Sequence, residues 1–388
     1  MIVRLPLVWA SILFIAGILA GHFWPSMLWL PLVFLTLLAI MLCRHRHHAP
    51  DVLTVLFWVL LGAARICAGS VAPDMEGRSP AVLSGIQAHM QQRADRLVAR
   101  LQDAGLEGEP LALSAALLLG QRQLLQRNTR QAYSQVGASH LLALSGMHLG
   151  ILYGLLYMLL LRWSRHGPWR WHVLPPALLL IWGYALLTGL SLSLVRASIM
   201  LSVFTVGTLA ERRQPPIHLL ALSALVILMC SPHALFDIGF QLSFLAVLFI
   251  ILIYTPWQQY LYDLPGHWLW EVLGVSLAAW LGTAPLATYY FHTLPLTGFL
   301  LNPVLIPLTT TIIYLGLSPL LPPMVYPLTW LLTQAIMVQT WIIRQWGAFD
   351  CLVLHNLYPA PLAVVLIYAL LIIASLRIKA TLALSSEY

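Results

Sequence analysis

Long apolar runs alternate along this chain with short polar joints. A helix needs about 20 apolar residues to cross a bilayer, and matching the runs to that length predicts twelve segments. They are residues 5–23, 27–43 and 52–72, then, after one long polar stretch, 138–161, 172–190, 191–210, 217–230, 234–254, 269–291, 298–321, 325–346 and 361–376. The pattern predicts an all-α fold: a polytopic integral membrane helical bundle of about 10–12 transmembrane helices. Several runs carry Pro or Gly, so some helices are expected to be broken or re-entrant. The first run is longer than a signal-peptide core and a second follows at once, so it reads as a retained helix.

Composition agrees. Of 388 residues, 60% are hydrophobic and 9% charged, where a soluble domain carries about a quarter charged. Mean hydropathy is +0.84. A soluble enzyme, a secreted disulfide scaffold and a disordered chain are excluded. Cys43, Cys67, Cys230 and Cys351 lie in or beside apolar runs without Cys-x-x-Cys spacing, so neither a disulfide framework nor a zinc site is expected. The Arg44–His48 run, RHRHH, does not converge on one ion. No metal and no cofactor are predicted.

The net charge is +7, and Lys379 is the only Lys. Arg44 and Arg46, then Arg162, Arg165 and Arg170, then Arg212 and Arg213, then Arg377 and Lys379 fall on one side if all twelve segments cross. The positive-inside rule makes that side the cytoplasm and puts both termini there. The joint 255–268 disagrees, having Asp263 and no Lys or Arg.

Residues 73–109 are then extracytoplasmic, with four Arg against six acidic residues. Ile86, Met90, Leu97 and Leu101 recur there at helical spacing, and Arg93, Arg96 and Arg100 make a second stripe. The ordinary explanation is an interfacial helix on lipid headgroups. The functional one is a basic guide for a polyanion at an outer mouth, extended by Arg122, Arg127 and Arg130.

Ionisable and polar residues inside the spans are costly and mark a pathway or a pair. His140, Ser145 and His148 lie in ASHLLALSGMHLGI, with Ser145 and His148 on one face. Arg196 lies in LSLSLVRASIM. Asp237 and Gln241 share a face and Ser243 follows, while Asn302 and Pro303 interrupt GFLLNPVLIPL. A proton-coupled or small-solute transporter needs several embedded carboxylates, and only Asp237 qualifies clearly. An intramembrane hydrolase needs Ser–His contact and an oxyanion hole, and only Ser145 with His148 or His140 can be cast so. A pore for a large polar substrate needs such side chains from several helices, which this scatter suits best. Interhelical hydrogen bonds, with an Arg196–Asp237 pair as the obvious case, remain the structural alternative. Arg65, near the end of its span, reads as snorkelling.

At these motifs the sequence resembles the ComEC-type competence proteins, the inner-membrane channels that bring transforming DNA into bacteria. The resembling stretches are ALLLGQRQLL, GASHLLALSGMHLGI, YALLTGLSLSLVRASIM, SPHALFDIGFQLSFLAV and APLATYYFHTLPLTGFLLNPVLIPL, spanning about Leu111 to Leu321, with SILFIAGILAGHF at the start. The resemblance implies N-terminal helices over 1–72, a linker at 73–109, a competence-type channel region over 110–376 and a short cytoplasmic tail at 377–388.

Relatives usually carry an OB-like domain where this chain has only residues 73–109, and many end in a metallo-β-lactamase-like domain whose His-x-His-x-Asp-His motif is absent here. No nuclease activity is expected of this polypeptide, and it is not expected to be an enzyme. The implied function is uptake of single-stranded DNA across the bacterial inner membrane. No Gly-x-x-x-x-Gly-Lys-Ser/Thr loop exists, so the chain cannot power transport alone. The expected partners are the lipid bilayer, single-stranded DNA, an external DNA-delivery protein, a separate cytoplasmic motor or strand-binding protein, and a separate nuclease.

Overall fold

The computed structural model describes residues 6–24, 32–33, 36, 57–66, 81–161, 168–209, 215–262, 264–317, 326–347 and 353–385. The expected second span at 27–43 and the basic joints at Arg44–His48, Arg162, Arg165, Arg212 and Arg213 lie outside them, apart from three residues of that span. The fold is an all-α polytopic membrane bundle. Five described helices are long and apolar enough to cross a bilayer, and six shorter helices are also apolar.

The chain divides into two compact units. One comprises Met1–Gly85 and Ile199–Phe244; the other comprises Ile86–Ser198 and Leu245–Tyr388.

In the first unit, α1 (Pro6–Phe23) lies against α2 (Phe57–Ile66) at backbone distance. A Cβ at Gly17 would stand 1.9 Å from the Val59 carbonyl oxygen, and one at Gly62 2.2 Å from that of Phe14. Small residues allow this approach where lipid supplies no hydrophobic drive between helices. The Ser11 hydroxyl donates to the Ala221 carbonyl at 2.9 Å, joining α1 to α10 (Pro216–Cys230). Phe14, Ile18, Ile66, Leu225, Leu228 and Phe240 form the core. Arg65, read as snorkelling, has definite partners: its guanidinium donates to the Met229 and Cys230 carbonyls, both at 2.8 Å. It caps the last turn of α10, where carbonyls lack partners and the helix dipole favours a cation.

In the second unit, most of α3 (Ala81–Asp103) and α4 (Gly108–Leu119) form a hairpin through Gly105, at φ 90°. Ala112 through Leu119 are buried without interruption, as expected of a helix apolar on every side. This helix is shorter than a crossing and was not among the twelve segments. Beyond it come a 3-10 turn, Arg122–Leu124, and α5 (Arg127–Gln135). The apolar stripe of α3 does not rest on lipid headgroups alone: Val98 and Leu101 pack with Ala115, Leu118, Leu152 and Ile313.

The run 138–161 is not one helix. It is a single turn, α6 (Ser139–Leu142), followed by a break and then α7 (Gly146–Leu161). Then follow α8 (Leu174–Leu187), α9 (Leu192–Leu209), which enters the first unit, and α10. The run 234–254 begins later than expected, because Pro232–Phe236 forms a 3-10 turn. α11 (Ile238–Phe249) passes through a π turn, Ile250–Tyr254, into α12 (Thr255–Tyr262), so much of the expected joint is helical.

α13 (His267–Phe291), α14 (Thr297–Gly316), α15 (Tyr326–Gly347) and α16 (Pro361–Ser385) complete the bundle. Short strands β1 (Leu294–Pro295) and β2 (Val353–Leu354) pair antiparallel, Leu294 opposite Leu354. Asn302 and Pro303 do not interrupt α14, nor does Pro307. Leu301, Leu305, Ile312 and Ile313 are buried on both sides of the prolines, and this packing holds the helix through the lost backbone bonds.

Candidate functional site

The break between α6 and α7 is the centre of the candidate site. Ala143 leaves the helix at φ −81°, ψ 128°. Ser145 then caps α7: its carbonyl accepts from His148 N–H at 3.1 Å and Leu149 N–H at 3.5 Å. His148 reaches back, its Nδ1 3.1 Å from Ser145 Oγ and 3.4 Å from Ser145 N. This is the return half of a capping box, the third residue of the helix reaching back to the amide that precedes it, with His in place of Glu or Gln. The predicted Ser145–His148 neighbourhood is present because Ser145 precedes the helix, not because both sit within one.

His148 is fully buried, and its Nε2 meets no hydrogen-bond partner among the described residues. His140 turns elsewhere, with Nδ1 3.1 Å from the Gly137 carbonyl oxygen.

Three sequence motifs meet around the break. Gly120 ends α4 at φ 75°, and a Cβ there would lie 2.4 Å from Leu144 Cδ1. Only glycine combines that left-handed backbone with the space Leu144 needs. On the other side, a Cβ at Gly146 would lie 3.1 Å from Ala197 Cβ, so α7 opens directly against α9. Arg196, half-buried, is the residue next to that approach. The Tyr184 hydroxyl donates to Leu118 O at 2.9 Å, and the Tyr314 hydroxyl to Ile151 O at 3.1 Å, pinning α8 to α4 and α14 to α7. Asn302, on α14, keeps a buried Oδ1 with no hydrogen-bond partner among the described residues.

The remaining pathway candidates lie in the first unit and have local bonds. Asp237 Oδ1 accepts from Phe240 N–H at 2.8 Å, so the carboxylate caps α11. Gln241 Nε2 donates to the Leu235 carbonyl at 2.9 Å. Ser243, two residues further along, is half-buried. The structure therefore distributes the eight candidates over two units and brings Ser145 and His148 into direct contact.

Arg93, Arg96, Arg100, Arg122, Arg127 and Arg130 are all exposed on the second unit. Gln121 Nε2 donates to Asp95 Oδ1 at 2.7 Å, bringing the residues beside Arg122 and Arg96 together. The Arg130 guanidinium donates to the Arg122 carbonyl, and Arg93 Nε donates to His89 Nε2 at 3.3 Å.

A further polar centre was not anticipated. Glu109, in the first turn of α4, accepts two bonds from Arg344 at 2.8 and 2.9 Å and one from the Thr129 hydroxyl at 2.8 Å. The carboxylate lies at the positive end of α4 and the guanidinium at the negative end of α15, both favoured by the helix dipoles. Tyr133 is buried alongside, and burial together with the Glu109 charge pushes its phenol above the usual value. Glu109 followed by Pro110 was a legible helix-start signal, but its partner is 235 residues away.

Comparison with known proteins assigns the family. The family model described as Competence protein matches residues 117–381. ComE operon protein 3 of Bacillus subtilis is 35% identical over 202 residues, 52% of this chain and 25% of that protein. Recombination protein 2 of Haemophilus influenzae is 28% identical over 225 residues, 54% of this chain and 28% of its own. Competence protein ComA of Neisseria gonorrhoeae is 30% identical over 220 residues, 53% and 29% respectively. The chain spans about a quarter to a half of the length of the curated relatives it matches. No solved structure matches it. The matched region contains the Gly120, Ser145–His148 and Arg196–Ala197 segments that meet at the break, and the chain belongs to the Competence protein family.

Proposed function

We propose that the chain acts in competence as an inner-membrane channel that carries single-stranded DNA inward, with both termini in the cytoplasm. The observation that carries this reading is the interrupted helix at Ala143–Ser145 beside His148 and Arg196. Non-helical backbone at membrane depth is tolerated where protein buries it or where it lines a wet cavity. A path for a polyanion needs weak, sequence-tolerant polar contacts of this kind. The six exposed arginines outside the spans supply attraction to phosphates and no base readout.

The Ser145–His148 distance of 3.1 Å favours one second reading, an intramembrane hydrolase. Against it, Nδ1 faces the serine, and Nε2 meets no hydrogen-bond partner among the described residues that could orient the ring as a base. Transport without catalysis is the better reading. It requires an external DNA-delivery protein, a cytoplasmic motor or strand-binding protein, and a separate nuclease.

The test is gene deletion in a transformable host, complemented by the full chain. Transformation frequency and cytoplasmic accumulation of labelled strand should fall on deletion and recover on complementation. Unchanged uptake in the deletion strain would remove the channel role.

A further inference from the structure

The second unit holds an apolar cavity of about 260 Å³ between α13 and α16. Trp280, Ala284 and Thr288 line it from successive turns of α13; Val364, Ile367 and Leu371 line it from α16. Two of these side chains carry polar atoms, and both are engaged elsewhere. The Thr288 hydroxyl donates to the Ala284 carbonyl at 2.7 Å, and the Trp280 indole N–H to the Pro295 carbonyl at 3.3 Å. The wall is therefore hydrocarbon.

Water needs two to four polar partners to occupy such a space, and a nucleic acid strand needs cations or donors. Neither finds them here. Both helices are long and apolar enough to cross a bilayer, and α16 also exposes Leu362, Leu366, Leu370 and Ile373 at helical spacing. That is the surface of a helix facing lipid, so the surrounding solvent for this cavity is acyl chain. The cavity lies near the ends of the two helices that the β1–β2 pair closes, and Pro359 is part of its wall. Beside Pro359, His355, Asn356 and Tyr358 are exposed, and Tyr358 lies 4.4 Å, ring to ring, from His292. A hydrocarbon slot next to exposed polar and aromatic groups has the two-part chemistry of a membrane amphiphile.

We propose that this cavity binds one acyl chain of a membrane phospholipid, with the headgroup against the loop 355–358. The volume falls below the usual range for drug-sized ligands, about 300–1,000 Å³, and suits a single chain. The site is independent of the DNA-uptake reading.

The test uses the full chain in nanodiscs of phosphatidylethanolamine and phosphatidylglycerol, doped with a phospholipid bearing a diazirine near the end of one acyl chain. After photolysis, the wall residues Trp280, Ala284, Thr288, Val364, Ile367 and Leu371 should carry more label than Leu362, Leu366 and Leu370 on the outward face of α16. Ala284→Phe with Ile367→Phe should remove the wall label and leave the outward label in place. Equal labelling of wall and outward face in the unaltered protein would overturn the proposal without recourse to any variant. Label on the outward face with none on the wall would overturn it as well, since another occupant would then exclude lipid from the cavity.

Discussion

Glu109 and Arg344, 235 residues apart, form a two-pronged ion pair at 2.8 and 2.9 Å that joins the start of α4 to the end of α15. Thr129 adds its hydroxyl to the same carboxylate, so three helices meet on one side chain. Arg344 is 56% exposed, which discounts the pair for solvent screening. Glu109→Ala should therefore cost about 1–2 kcal/mol, the range of a charged hydrogen bond reduced for exposure. Glu109→Gln keeps an acceptor for Thr129 and should cost less. Thermal unfolding of purified protein in detergent checks this; equal loss in both variants would contradict it.

Gly120 supports a sharper forecast. Its φ of 75° strains any side chain, and a Cβ there would have to push aside Leu144 Cδ1, 2.4 Å away. Backbone strain of this kind alone costs about 1–3 kcal/mol. Gly120→Ala should lower yield and thermal stability, and pairing it with Leu144→Ala should recover the steric part but not the backbone part. Full recovery in the double variant would show that the left-handed backbone is not under constraint.

Asp237 separates a helix cap from an embedded charge. Its Oδ1 receives the Phe240 amide at 2.8 Å. Asn preserves that acceptor and Ala does not, so Asp237→Ala should cost about 1 kcal/mol while Asp237→Asn stays close to the parent. If the carboxylate instead carried protons for coupled transport, Asp237→Asn would abolish transport with stability intact. The comparison is thermal stability beside uptake for both variants.

The exposed arginines should act through charge. Arg96→Gln, Arg100→Gln and Arg127→Gln together should leave folding unchanged and weaken binding of single-stranded DNA uniformly across sequences. For every phosphate no longer neutralised, the slope of log K against log salt should fall by about 0.7. An unchanged slope would remove this face from the DNA path.

The spans were legible because their signal is local: apolar length alone placed α9, α13, α14 and the start of α16 to within a few residues. Helix α4 was missed because a 12-residue apolar run is too short to cross, and only its burial by α3, α14 and α15 explains it. The prolines of α14 misled for the converse reason: packing from outside the helix outweighed a local breaker. Among the site residues, Ser145 with His148 was legible at a spacing of three. That the helix stops between Leu142 and Gly146 was not, since the neighbours packed at the break, Gly120 and Ala197, are remote in sequence. The Arg65 cap on α10 is hidden in the same way.

Ser145 is where the channel and the hydrolase make opposite forecasts. As a cap, it offers its Oγ to His148 Nδ1, which the Ser145 backbone N–H also approaches, at 3.4 Å. Ser145→Ala then removes the hydroxyl and keeps the backbone bond, should cost about 1 kcal/mol, the net worth of one hydrogen bond, and should leave DNA uptake near the parent level. As a nucleophile, Ser145 would be indispensable, and its loss would lower turnover by several orders of magnitude. His148→Ala removes both bonds and leaves the start of α7 without its return partner, so it should destabilise more than Ser145→Ala. A serine-directed fluorophosphonate probe adds an independent readout, with no labelling of the parent chain expected. Labelling that disappears in Ser145→Ala, together with lost uptake at normal protein yield, would replace the channel reading with catalysis at this residue.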